Sequence, residues 1–398
     1  MRTEITGPAE LREHRAAGRD LKRAVLVGLD LTDPEVDALV RGTALDEAVL
    51  LGCRLLPATA KRAEASGALV FPEIPALPYQ VYRSALYTPA ELFAGFDPAR
   101  PGSYVDTPDS VIYRHMRSVG SGRPDPLHAL AERLHDHAVT EALDDALDAA
   151  RAAGAAAPVA VMGGHALVRG GDGYREAVRL GVALGRSPAR FTVLTGGGPG
   201  AMEAVPLGVR LACTGQGTGQ GDAQGVDDLE GRMDRALATL AEAPGFGEDA
   251  AGIGRWLAAA LRVAEWLPPP AAPRTIGIPT WFYGHEPPNA FCDLHAKYFA
   301  NSVREDGLLT VAGGGIVYTP GSAGTVQEVF ADYTQNHYGS VGPPAPMVFL
   351  GARFWTEEVP AVPLVRRLAA GRAAEGLVHV TDDVTEAVAV LERYAETR

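Results

Sequence analysis

The sequence predicts an α/β protein. A doubly wound parallel sheet is expected over residues 158–398, with a small mixed α/β domain over 1–125 and a linking helix over 126–157 ahead of it. Three observations predict this. From Pro158 onward, short apolar runs alternate with helix-like segments. The runs are continuously apolar rather than alternating, as strands covered on both faces must be. Each run stops at turn residues, mostly glycine or proline, that lead the chain out of a strand and toward the next helix.

Taken in order, the first 125 residues carry apolar stretches at Ala24–Leu29, Ala48–Leu51 and Ala68–Phe71, followed by the proline-rich FPEIPALPYQVYRSALYTP and FDPARPGSYVDTP. Short strands joined by long connections are expected there. Residues 126–153 place apolar side chains at i, i+3 and i+4 and end at Gly154, which reads as a long amphipathic helix. Six strands are then expected in PVAVMGG, FTVLTGGG, TIGIPT, GIVYTPG, PMVFLG and GLVHVTD, with helices near 173–186, 200–212, 250–265, 323–336 and 383–395. The segment CDLHAKYFANSVREDGLL (292–309) also reads as helix, and the Gly/Gln-rich stretch 213–225 as a loop. Strands alternating with helices in this way build a Rossmann-like domain.

Composition removes several function classes. The 36 basic residues against 49 acidic ones give a net charge of −13, which argues against a nucleic-acid-binding footprint. Three dispersed cysteines exclude a disulfide scaffold and a cysteine-rich zinc site, and no metal is expected. The chain has neither an apolar leader nor a membrane-length apolar run, so a soluble, cytoplasmic protein is expected. Only Lys22, Lys61 and Lys297 are lysines, and the Walker GxxxxGK[ST], HExxH and GxSxG motifs are all absent.

Two glycine loops carry the chemistry. The first, TGGGPGAME (195–203), follows FTVL; the second, TPGSAGTVQE (319–328), follows GIVY. Glycines let the backbone approach a ligand closely, and the helix that follows presents unpaired amides and a positive dipole. At the first loop Gly196, Gly197, Gly198, Gly200 and Met202 are candidate ligand contacts. At the second the candidates are Gly321, Ser322, Gly324 and Thr325. Each loop leads to a glutamate, Glu203 or Glu328. A GxGxxA reading of the first loop alone would pair it with Asp222 as a ribose acid, but Asp222 falls inside the Gly/Gln stretch rather than at a strand end. Two anion-friendly loops in one parallel sheet open into one crevice, which suits a phosphate and its ribose.

On these residues the chain resembles a known family. PGSAGTVQE (320–328) is similar to the PGGxGTxxE signature of the LOG-type, lysine-decarboxylase-like phosphoribohydrolases. GGGPGAMEA (196–204) is similar to their partner motif in the form used by the larger bacterial purine/pyrimidine nucleotide 5′-monophosphate nucleosidases. The resemblance covers residues 158 to about 350. It implies hydrolysis of the N-glycosidic bond of a nucleoside 5′-monophosphate to free base and ribose 5-phosphate, without a cofactor, in a homodimer or larger homo-oligomer. It also implies that Gly321, Gly324 and Thr325 hold phosphate and that Glu328 is the catalytic carboxylate. The chain departs from the family at Ser322, which replaces a glycine, and at Gln327, often a glutamate. The family's catalytic arginine has two candidates, Lys297 and Arg304, seven residues apart on the expected helix.

Cleaving an N-glycosidic bond builds positive charge on the ribose, which a nearby carboxylate stabilises. The aromatic run WFYGHEPPN (281–289) offers Trp281, Phe282 and Tyr283 for stacking on a base. His135, His137, His285, His295 and His337 form no ligand cluster and read mainly as structural. Three rival readings stand beside this one. A dehydrogenase would leave the second loop unexplained, and a pyridoxal-phosphate decarboxylase would need Lys297 in a phosphate-binding context it lacks. A non-catalytic nucleotide sensor would keep both loops and differs only in consuming nothing.

Overall fold

Ala24–Leu31 and Ala48–Leu55, AVLVGLDL and AVLLGCRL, are near copies 24 residues apart, and the computed structural model stacks them in register. It describes residues 3–74, 76–120, 123–214, 229–283 and 286–398. These group into two units, Met1–Ala85 with Arg123–Ala142, and Leu86–Gly122 with Leu143–Arg398.

In the first unit six short strands run in chain order: β1 (Glu4–Ile5), β2 (Val25–Val27), β3 (Asp30–Leu31), β4 (Val49–Leu51), β5 (Arg54–Leu55) and β6 (Leu69–Phe71). They form two parallel sheets, β1-β2-β4-β6 and β3-β5. Helices α1 (Pro8–Ala16), α2 (Pro34–Arg41) and α3 (Pro57–Ala65) carry the chain back, each with proline at its start. Proline suits that position because its ring presets a helical φ and its missing N–H is not needed there. Each turn of chain therefore adds one rung, and Ile5, Leu26 and Leu50 stack as a fully buried column. The repeat was legible in the sequence, although apolar runs alone do not reveal it.

Residues 86–122, which contain α4 (Pro89–Leu92) and α5 (Pro108–Ser118), group with the second unit, so the boundary lies near 85 rather than 125. Side chains distant in sequence explain this. Asp109 pairs with Lys297 and accepts a 3.0 Å bond from Trp281 Nε1, while Tyr87 exchanges backbone bonds with His295. Helix α6 (Pro126–Ala152) starts in the first unit and ends in the second.

The second unit is built on seven parallel strands: β7 (Val159–Met162), β8 (Val193–Thr195), β9 (Thr275–Gly277), β10 (Leu294–His295), β11 (Gly315–Tyr318), β12 (Met347–Leu350) and β13 (Val378–Thr381). Their order is β10-β9-β8-β7-β11-β12-β13, a Rossmann-like doubly wound sheet. Flanking it are α7 (Asp172–Arg186), α8 (Ala201–Cys213), α9 (Leu229–Ala241), α10 (Ala250–Trp266), α11 (Asn301–Val311), α12 (Ala323–Tyr338), α13 (Ala361–Ala369) and α14 (Val384–Ala395). All six expected strands form, and every residue of β7, β8, β9, β11 and β12 is buried. Among the described residues no helix is long and apolar enough to cross a membrane.

One expected helix is corrected. Residues 292–309 open with edge strand β10, and helix begins only at Asn301. Asp293 Oδ2 accepts bonds from the Arg274 and Thr275 amides and from Thr275 Oγ1, at 2.8–3.0 Å, and this ties the segment alongside β9. Lys297 thus precedes the helix, and its spacing to Arg304 does not place the two on one helical face. Helix α9 was not anticipated.

Candidate functional site

The chain leaves β7 toward β8, β9 and β10, then returns to lay β11 on the other side of β7. That reversal opens a crevice at the carboxyl ends of the strands, flanked by the loops after β7 and β11. The loops are tied to one another there. Gly164 N donates to Pro320 O (3.3 Å), and Gly164 O accepts from Ala201 N (3.2 Å). Gly163 has room for no side chain, since a Cβ would lie 2.0 Å from Thr319 Oγ1. Gly200 has φ +69°, and a Cβ there would meet Gly164 O at 2.4 Å. Asn289 braces the first glycine loop, with Nδ2 donating to Gly198 O (3.2 Å) and Met202 O (3.0 Å) and its amide to Gly197 O (2.8 Å).

A cavity of about 250 Å³ occupies the crevice, near the lower end of small-ligand sites. Of the residues singled out from sequence, Gly196, Gly198, Met202 and Arg304 line it, as do Ser322, Gly324, Thr325 and Glu328. The first turn of α12 carries no side-chain cap, so its leading amides stay available to an anion. Gly321 accommodates Thr325, whose Oγ1 lies 2.2 Å from where a Cβ would be.

Glu328 sits one turn further along α12. Arg304 reaches it from α11, with Nη1 3.8 Å from Glu328 Oε1, while Arg304 Nε donates to Ile278 O at 2.8 Å. The guanidinium passes over Gly196, where a Cβ would lie 2.5 Å from Nη2, so that glycine makes room for the arginine. Burial pushes the Glu328 carboxyl up to about 7; Arg304 opposes the shift and Glu305 adds to it. Four residues on, burial also raises Asp332 to about 7, against a 2.7 Å bond from Tyr318 OH. Glu305 lines the cavity as well and is held by Gln327 Nε2 (3.0 Å) and Asn301 Nδ2 (2.7 Å).

Five singled-out residues do not line the cavity: Gly197, Gly200 and Gly321 stay within the glycine loops, and Glu203 and Lys297 lie elsewhere. Glu203 is fully buried in a bidentate pair with Arg169 (2.8 and 2.5 Å), and Tyr174 OH adds a third bond at 2.8 Å. Lys297 is also buried, paired with Asp109 and 5.1 Å from the Trp281 ring; burial drives its pKa down against the pull of Asp109. Of the aromatic run, Tyr283 lines the cavity and Trp281 is buried beside Lys297. His295 is buried with Nε2 2.9 Å from Asn289 O, and burial lowers its pKa to about 4. His337 pairs with Tyr333, His135 is buried in the first unit and His137 is exposed. Asp222, positions 215–225 of the Gly/Gln stretch and His285 lie outside the described residues.

Sequence reasoning missed His165, Glu286 and Asn289. His165 directly follows the Gly163–Gly164 pair, which was the available signal, and lines the cavity with Glu286. Asn289 follows two prolines, with nothing local to mark it. Among the described residues no group of three or more His, Cys, Asp or Glu side chains is placed to hold a metal. No protein-family model matches the chain, and no curated protein does either.

Proposed function

We propose that the chain hydrolyses the N-glycosidic bond of nucleoside 5′-monophosphates, releasing free base and ribose 5-phosphate. One observation carries the reading: the uncapped start of α12, Glu328 one turn deeper and Arg304 all face a single cavity at the switch point. An anion on the α12 amides, Ser322 and Thr325 brings the attached sugar to the level of Glu328. The phosphate supplies binding energy remote from the reacting bond, and that energy positions C1′. As the bond to the base lengthens, the ribose gains positive charge, which the Glu328 carboxylate stabilises while it takes a proton from the attacking water. Arg304 fixes the carboxylate in place. The motif resemblance of both glycine loops supports the same chemistry.

A panel of nucleoside monophosphates tests it, with free base and ribose 5-phosphate followed by chromatography. AMP should be turned over at least a hundredfold faster than adenosine, because each charge-assisted phosphate contact contributes about 1.5–3 kcal/mol. Equal turnover of the two removes the phosphate from the argument. Tight binding with no release across the panel makes the chain a nucleotide sensor instead.

A further inference from the structure

We propose that His165, held by Glu286, is the general acid that protonates the departing base; this rests on the hydrolase reading above. A purine expelled as an anion is a poor leaving group, so the reaction needs a proton donor as well as Glu328. The other groups around the cavity are already committed or chemically unsuited. A guanidinium is chemically unsuited to proton donation, and Glu305 is engaged by Gln327 and Asn301. The Thr280 hydroxyl donates to Tyr298 O, and a phenol such as that of Tyr283 is a far weaker acid than an imidazolium.

His165 is the one imidazole among the described residues lining this cavity. It comes from the loop after β7, on the far side of the switch point from α12. Glu286 enters from the segment after β9, with Oε1 3.8 Å from His165 Nδ1 and Oε2 3.8 Å from where a Gly198 Cβ would lie. Met202, Pro279 and Tyr283 also line the cavity and give a flat base apolar and aromatic surface to lie against. The His165 side chain is about half exposed, so its proton exchanges with water between turnovers.

The step balances. The C1′–N bond breaks with its electron pair going to the base, and the imidazolium gives the base its proton. Water adds to C1′ and passes a proton to Glu328. Solvent then returns a proton to His165 and removes one from Glu328, for a net consumption of one water.

The test separates acid catalysis from every other role. Wild type, His165→Gln and Glu286→Gln are assayed on AMP and on 7-methylguanosine 5′-monophosphate, whose methylated base leaves neutral without protonation. His165→Gln should lower kcat on AMP by about 10²–10³-fold and on the methylated nucleotide by less than threefold. Glu286→Gln should show the same selectivity at smaller amplitude. Equal losses on both nucleotides, or a rise in KM alone, would make His165 a phosphate or structural residue and overturn the proposal. So would undiminished AMP turnover. If wild type releases base from neither of these nor from any other nucleotide of the panel, the hydrolase reading has failed and the acid role falls with it.

Discussion

Replacing Glu328 by glutamine should move stability and activity in opposite directions, and the stability change should depend on pH. The folded carboxyl titrates near 7, against 4.5 for an ordinary glutamate, chiefly because it is buried. The folded state therefore holds its proton more tightly than the unfolded chain does, and stability falls as pH rises from about 4.5 through 7. A shift of that size corresponds to about 3 kcal/mol at 1.36 kcal/mol per unit. Glutamine is never ionised. The variant should match wild type near pH 4.5 and exceed it by on the order of 3 kcal/mol at pH 8.5. Asp332 titrates in the same range but is present in both proteins, so it cancels in the difference. Urea unfolding at the two pH values gives that difference. Turnover of a nucleoside monophosphate should meanwhile drop by about 10²–10⁴, with affinity by calorimetry little changed. In wild type, the rising limb of kcat/KM against pH should track the Glu328 carboxylate forming near 7, and loss of the general acid's proton should bound the profile on its alkaline side. A stability gap that does not vary with pH would show that Glu328 ionises as a surface glutamate does, and the catalytic argument built on its burial would fail.

Glu203→Gln should act on the fold. It removes the charge that balances the buried Arg169, leaving one neutral side-chain acceptor beside the Ala243 and Trp256 carbonyls, a loss of about 3–5 kcal/mol read by urea unfolding. Lys297→Met and Arg304→Gln should separate the two candidates for the cationic role. Lys297→Met strands the buried Asp109 and costs about 3–5 kcal/mol of stability, and Asp109→Asn in the same chain restores most of it. Arg304→Gln should change stability by only about 1 kcal/mol, since the 3.8 Å contact is longer than a hydrogen bond and the Glu328 carboxyl, already raised to about 7, takes up a proton when the arginine is lost, yet reduce turnover at least tenfold. Normal turnover by the arginine variant would return the role to Lys297.

What the sequence revealed and what it hid divide along the range of the interactions involved. Strand, glycine loop and helix follow one another within about fifteen residues, so local pattern placed both loops and Glu328. Lys297 and Arg304 could not be told apart because the chain ahead of α11 is tied down by Asp293, whose partners are the Arg274 and Thr275 amides at the start of β9. The domain boundary likewise depends on Asp109 meeting a lysine 188 positions away. The two loops make the point most sharply. Both read as glycine turn, helix start and glutamate, and only the motif resemblance singles out Glu328. In space the first is consumed by its neighbours: the Ala201 amide is taken by Gly164, Asn289 ties down Gly198 and Met202, and Glu203 is locked to Arg169 from another segment. The second keeps its first helical turn uncapped and its glutamate facing the cavity. Local pattern alone treats the two loops as like halves of one crevice. Tertiary partners make the first loop a scaffold wall, with Gly196 shaped to let Arg304 through to the Glu328 of the second.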